Sequence, residues 1–337
     1  MVKALSVDDM SEIIKVLKSE LRIAKKVNAV QAVNSLHLET FINHLSDVYD
    51  ALPAPKAHKN IVIPKGKQDV IANMMLSDWH HGKLVSKSET GGQGEYNITI
   101  MKRRARELVR RVKLEIHKQR GVSNIRKLIV HLLGDMLEGN GIFLGQASRL
   151  STHVVQQLLI MVDELAVFLL ALEPDFDSIE VICMSGNHSR IGQKDENVFQ
   201  MNYEYLMAKM LQMKLQNAKR ITFTIPDAWF YTKKIWKTTM YLSHGDTVKG
   251  MNIAKSVQEL SVMESDNGNV FNLMLMGHLH SYKIFEYQQG KDVIVNGALC
   301  GNDMYATRRL HLTSSPTQVL FGINKQGVDF ICPIKLK

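Results

Sequence analysis

The sequence predicts an α/β protein, on three observations. Short apolar runs rich in branched residues recur along the chain, stretches with apolar residues three or four apart lie between them, and a polar motif closes several of the runs. The first runs are Ile71-Ala72-Asn73-Met74-Met75-Leu76, Leu128-Ile129-Val130-His131-Leu132-Leu133 and Ile179-Glu180-Val181-Ile182-Cys183-Met184. They are short and largely apolar, as strands covered on both faces should be. Between them Met101, Ala105, Leu108, Val112 and Ile116 make one helical stripe, and Val154, Leu158, Met161, Leu165 and Phe168 make another. Strand–helix–strand order sets successive strands side by side. Further short strands are expected at Ile221–Ile225, Thr238–Leu242, Asn272–Met276, Ile284–Tyr287 and Val293–Asn296, with His311–Leu320 and Phe330–Ile334 closing a sheet.

Five motifs stand where apolar runs end: Asp78-Trp79-His80, Gly134-Asp135, Gly186-Asn187-His188, His244-Gly245-Asp246 and Gly277-His278-Leu279-His280. In open α/β sheets, ligands gather at the carboxyl ends of strands, where the first three motifs fall. Asp135 offers a bridging carboxylate, Asp78 and Asn187 offer hard oxygens, and His80, His244, His278 and His280 offer imidazoles. That set suits manganese, iron or zinc. Two such cations roughly 3.5–4 Å apart would generate hydroxide and neutralise charge at a phosphodiester. His188 is left over, and a non-ligand imidazole is suited to protonate a leaving alkoxide. The set needs no thiolate, and none of Cys183, Cys300 and Cys332 is expected to contribute.

The pattern D-x-H, GD, GNH, H, GHxH resembles that of the calcineurin-like metallophosphoesterases, over roughly Asn73 to Asn302. Within that superfamily, Leu76-Ser77-Asp78-Trp79-His80-His81-Gly82 is most similar to the opening motif of SbcD-type DNA repair nucleases, a likeness that would also suit a phage-encoded enzyme. The resemblance implies a four-layer αββα sandwich holding two divalent metal ions, with Mn2+ expected in the active form and Mg2+, Fe2+ or Zn2+ as alternatives. Asp78, His80 and His280 would hold the first metal, Asn187, His244 and His278 the second, Asp135 would bridge, and His188 would act on the leaving group. The implied activity is hydrolysis of DNA phosphodiester bonds, exo- or endonucleolytic; the alternative is a phosphatase or phosphodiesterase for nucleotides or other small phosphoesters. Ser189 stands where many relatives carry the carboxylate that orients this histidine, which makes Asp246 a candidate for that task. Glu138 stands where related nucleases carry histidine and is a second supporting candidate. Gly134-Asp135-Met136-Leu137-Glu138-Gly139 lacks the arginine of the protein-phosphatase pattern. An ATPase partner subunit is implied as well, although no long helical docking segment is legible near the C-terminus.

The formal net charge of +9 over 337 residues points to a polyanionic partner, DNA on this reading. The basic stretch from Lys102 to Lys127 is either a solvated helix face or a phosphate-contact surface, with Arg103, Arg106 and Arg110 as candidate contacts and His81 as another. Trp79 and Tyr305 could stack a base, the core being the plainer role; His131 reads as a core histidine. No uninterrupted apolar stretch reaches the ~20 residues of a membrane span, no signal-peptide core opens the chain, and three scattered cysteines give no disulfide framework. The cytoplasm, a host's if the protein is viral, is the expected compartment.

Residues 1–55 read as a helical hairpin, 56–68 as a linker and 69–337 as the catalytic domain. The hairpin carries two apolar stripes it cannot bury alone, so it should dock on its own domain or form a homodimer. Two loops, Gly82–Asn97 and Gly139–Gly145, are expected to rim the site.

Overall fold

The three apolar runs become β1 (Gln68–Leu76), β2 (Ser123–Leu133) and β3 (Ser178–Met184), parallel neighbours in one sheet. The computed structural model describes residues 67–337 apart from 93, 143–145, 193–198, 249–251 and 303–314. The expected hairpin, nearly all of the linker and Tyr305 therefore lie outside the described residues. The sheet is completed by β4 (Ile221–Thr224), parallel to β3, and by β10 (Thr317–Ile323) and β11 (Val328–Lys335), each antiparallel to its neighbour. Its order is β11-β10-β1-β2-β3-β4.

The second sheet runs β5-β6-β7-β9-β8, from β5 (Phe230–Ile235), β6 (Thr238–Ser243), β7 (Leu273–Met276), β8 (Lys283–Gln288) and β9 (Lys291–Val295). Among the described strands only β5 has no counterpart in the expected set; Lys233, Lys234 and the partly exposed Phe230–Thr232 hid its apolar alternation. Side chains alternate between the two sides of this sheet. Met240, Leu242, Leu273, Leu275 and Ile294 pack with Met75, Ile129, Leu133, Ile182 and Phe321 of the first sheet. Tyr241, Met274, Met276, Val293 and Val295 face the other way, onto Val257 of a helix.

Among the described residues four helices cover the outer faces: α1 (Ile98–Gln119), α2 (Val154–Leu172), α3 (Tyr203–Lys214) and α4 (Ile253–Asp266). The expected stripe of α1 is its buried side, Met101, Ala105, Leu108, Val112 and Ile116, and Asn97 caps its first turn by accepting from the Ile100 amide. Helices, sheet, sheet, helix is the expected αββα arrangement. By length and composition alone α2 would pass for a membrane span. Here it is a core helix interrupted by Gln157, Asp163 and Glu164, burying Leu158, Met161, Leu165, Phe168, Leu169 and Leu172.

His131 is fully buried between the sheets, paired with Asn73 Oδ1 at 3.0 Å and held neutral by burial, its pKa down to about 3. It is the core histidine its setting in β2 suggested.

Candidate metal centre

The ligand candidates leave five strands at their carboxyl ends. Asp78 and His80 follow β1, Asp135 follows β2, Asn187 and His188 follow β3, His244 follows β6, and His278 and His280 follow β7. Backbone pairing continues past the strands: Asp78 N donates to Gly134 O (3.1 Å), His80 N to Asp135 O (2.9 Å) and Glu138 N to His81 O (2.9 Å). Gly277 N donates to His244 O (3.0 Å), which joins the two motifs of the second sheet.

The backbone is bent sharply here. Six non-glycine residues have positive φ among the described residues: Asp78, His80, Asp135, His278, His280 and Trp236. Five of the six are ligand candidates. Left-handed backbone costs a side-chain-bearing residue about 1–3 kcal/mol and persists only where its surroundings enforce it. Glycines provide the clearance. Gly134 (φ +85°) and Gly186 touch: a Cβ on Gly134 would lie 2.6 Å from the Gly186 backbone, and one on Gly186 would fall on the Asp135 carboxylate.

Two clusters of ligand atoms result. In the first, His80 Nε2 and His280 Nε2 are 2.9 Å apart, with Asp78 Oδ1 3.5 Å from His280 Nε2 and 4.0 Å from His80 Nε2. In the second, His244 Nε2 lies 2.9 Å from Asn187 Oδ1, 3.1 Å from Asp135 Oδ2 and 3.2 Å from His278 Nδ1. Asp135 also groups with His80 and His188 within 4.8 Å, so its carboxylate lies between the clusters as a bridge would.

The rings are set for ligation. His244 Nδ1 donates to Leu133 O (2.8 Å), and His80 Nδ1 pairs with Glu138 Oε2 (2.7 Å), so the Nε2 lone pair of each turns inward. Ring nitrogens and side-chain oxygens converging this closely are what a divalent cation fits once the imidazole protons between them have left. Ser77 Oγ (2.5 Å) and the His278 amide (3.1 Å) steady the Asp78 carboxylate, and Asn296 supports Ser77 in turn (2.9 Å).

The electrostatics ask for positive charge. Burial raises Asp78 to about 7, with Asp135 adding to the rise. Burial opposes charge on His244, yet Asp135, Asp78 and Asp246 hold it up at about 10. His278, lowered to about 4 by burial and by His244, is neutral and ready to ligate. Below about pH 10 a cation must displace the His244 proton, so affinity should rise with pH through the neutral range. Calorimetric titration of Mn2+ in buffers of different ionisation enthalpy should show more than one proton released per protein at neutral pH, one from His244 and part of one from Asp78. Buffer-independent heats would mean that His244 does not ligate.

Glu138, not Asp246, is the carboxylate beside His188. Its Oε2 lies 3.4 Å from His188 Nδ1, while also taking His80 and approaching Lys83 at 3.9 Å. Asp246 acts on His244 and His278 through its charge. Burial opposes protonation of His188, but Asp135 and Glu138 raise its pKa, so it holds its proton more firmly than an ordinary imidazole.

Other expected positions resolve differently. His81 is fully buried, its pKa lowered to about 4 by burial and then by Lys102, which removes it from the substrate contacts. Trp79 is also fully buried, donating to Gln318 Oε1 (3.1 Å) and set edge-on to Phe168, so it stacks no base. Arg103, Arg106 and Arg110 are exposed on α1. Arg103 donates to Lys337 O (3.0 Å), and Arg110 is held by both oxygens of Glu107 (2.8 Å each).

Two residues of the centre carry little or no signal in the sequence. Glu204, in the first turn of α3, accepts from the amides of Asp135 (3.1 Å), Met136 (2.5 Å), Leu137 (3.1 Å) and Gly186 (2.6 Å), clamping two ligand loops. Its only sequence signal is Asn202, the α3 cap, whose side chain accepts from the Glu204 amide and donates to Gly186 O. The second is Cys300, whose Sγ groups with the ligand atoms of His80 and His280 within 4.8 Å. The expectation that no thiol would stand at the centre is corrected.

No family model matches the chain, and no curated protein matches it. Among solved structures it is similar to Vps29 from Entamoeba histolytica complexed with Zn2+ (16% identity, 50% of this chain and 87% of that one, TM-score 0.31). It is also similar to a predicted phosphoesterase from Streptococcus pneumoniae (10% identity, 81% and 99%, TM-score 0.31) and a 5'-nucleotidase from Candida albicans (11%, 85% and 54%, TM-score 0.34). Likenesses this distant carry no argument about activity. The fold and the ligand atoms themselves define a two-sheet α/β protein with a candidate dinuclear metal centre.

Proposed function

We propose that this protein is a metal-dependent phosphoesterase whose substrate is the phosphodiester backbone of DNA, cut exo- or endonucleolytically. The observation that carries the reading is the convergence of seven ligand side chains from five strand ends, with His188 beside them. Asp78, His80 and His280 would hold one cation, Asn187, His244 and His278 the other, and Asp135 would bridge. When bound, the cations supply Lewis acidity at the phosphate and lower the pKa of water, with manganese the expected activator. The remaining work belongs to the side chains. Glu138 orients the His80 and His188 rings together. The His188 amide fixes Asp135 by donating to Oδ1 (2.9 Å). His188 Nε2, 3.9 Å from Asp135 Oδ2, gives its proton to the departing oxygen.

DNA as substrate is supported by the net charge of +9, by the basic exposed face of α1 and by the likeness of Leu76–Gly82 to SbcD-type nucleases, phage-encoded ones included. On the same reading the N-terminal helices serve docking or dimerisation, an ATPase subunit is the partner class, and the cytoplasm is the compartment. A second reading, hydrolysis of nucleotides or other small phosphoesters, is favoured by the engagement of Arg103 with the Lys337 carbonyl and of Arg110 with Glu107.

The test pairs labelled linear and circular DNA with bis-(p-nitrophenyl) phosphate, in Mn2+, for the wild type, Asp135→Asn and Arg103→Ala/Arg106→Ala/Arg110→Ala. Both activities should vanish in Asp135→Asn. The triple variant should keep ester hydrolysis, lose DNA cleavage about tenfold or more at moderate salt, and show a shallower salt dependence. Unchanged DNA cleavage in the triple variant would remove α1 from substrate binding; no DNA cleavage by the wild type would leave the small-phosphoester reading.

A further inference from the structure

The first cluster of ligand atoms is not purely nitrogen and oxygen. Cys300 is 2% exposed, in the loop after β9, and its Sγ and one ring nitrogen each of His80 and His280 all lie within 4.8 Å of one another. Two ligands on opposite sides of one transition-metal ion stand at most about 4–4.6 Å apart, from metal–nitrogen and metal–sulfur bonds of about 2.0–2.3 Å. The three atoms stand close to that limit, and Asp78 Oδ1 lies 3.5 Å from His280 Nε2 and 4.0 Å from His80 Nε2 beside them.

The loop is held there from both sides. Leu299 N donates to Asp78 O (3.0 Å), tying the segment to the first ligand motif. From below, buried Arg104 donates through Nη1 to Leu299 O and Cys300 O, at 2.9 Å each, and its guanidinium lies over the Tyr96 ring. Tyr96 in turn donates its hydroxyl to Trp79 O, between the two ligands of the opening motif. The contact of the thiol with Gly301 O, at 3.6 Å, is long and weak enough for a metal to replace.

We propose that Cys300 is a thiolate ligand of the first metal position, completing an Asp78–His80–His280–Cys300 set. The proposal rests on the metal-centre reading above and adds a selectivity to it. A sulfur ligand draws zinc or ferrous iron in preference to manganese, whereas the second position, with Asn187, Asp135 and two imidazoles, has no such bias. The two positions would then load with different metals.

Cobalt(II) titration of the full-length protein tests this without an activity assay. The wild type should develop the intense near-ultraviolet thiolate-to-cobalt charge-transfer band together with visible d–d bands. Cys300→Ser should lose the charge-transfer band and keep the d–d bands, and Cys332→Ser, altered on β11, should keep both. Zinc should abolish the wild-type charge-transfer band at concentrations where manganese leaves it intact. Cobalt binding with d–d bands but no charge-transfer band in the wild type would overturn the Cys300 assignment and leave the metal centre standing. Retention of the charge-transfer band in Cys300→Ser would overturn the assignment in the same way. No cobalt retained on equilibrium dialysis would overturn the metal-centre reading and the proposal with it.

Discussion

Glu204→Gln is expected to loosen the metal centre without touching a ligand. The carboxylate of Glu204 is the shared acceptor of four backbone amides, three from the Asp135 loop and one from Gly186. Burial and the nearby Asp135 charge push its pKa up, and the Gly186 and Leu137 amides pull it back. A glutamine has one acceptor oxygen and turns an NH2 donor toward the remaining N–H groups. Two buried amides then lose their acceptor, at about 1–3 kcal/mol each, and the added donor repels them. Because Gly134 and Gly186 already touch, the loops cannot separate without moving Asp135. Urea unfolding should show a lower midpoint with an unchanged slope. Metal affinity should fall about 10–100-fold, as for loss of a group that orients a ligand. Wild-type values for both would mean that other acceptors replace Glu204.

His188→Ala should have the largest effect on turnover with the least on metal content. The side chain is the imidazole not needed by either proposed metal position, and Glu138 and Asp135 hold its proton in place. Removing a positioned general acid costs about 10²–10⁴ in kcat. The loss should depend on the leaving group: large for an alkyl or nucleoside ester, and much smaller for bis-(p-nitrophenyl) phosphate, whose nitrophenolate departs without a proton. Metal bound per protein, read by elemental analysis, should match the wild type. Equal losses on both ester types would assign His188 to phosphate binding instead of proton transfer.

The seven ligand candidates and His188 were legible because each is a short-range feature at the end of an apolar run. β1, β2 and β3 are buried on both sides, so their runs stand out from the flanking polar sequence. β5 was not legible, because Lys233 and Lys234 interrupt it. α3 was not either, since Met207, Ala208, Met210 and Leu211 pack inward beside polar neighbours and leave no clean stripe. Glu204 acts on Asp135 across 69 residues of sequence, and Cys300 meets His80 from a still more distant part of the chain. No local pattern encodes that distance; only the closing of β1, β2, β3, β7 and β9 around one point creates it. His81 shows the converse. It sits next to a ligand in sequence, and the bend at His80 turns it into the core.

The left-handed backbone at five ligand candidates has a consequence for how such a chain can change. The backbone at each of those positions would be less strained with glycine, the one residue without a Cβ. Any substitution there other than glycine would remove a ligand candidate without releasing the backbone, and glycine alone would exchange the side chain for relief. At these five positions, relief of backbone strain and retention of the ligand side chain are opposed.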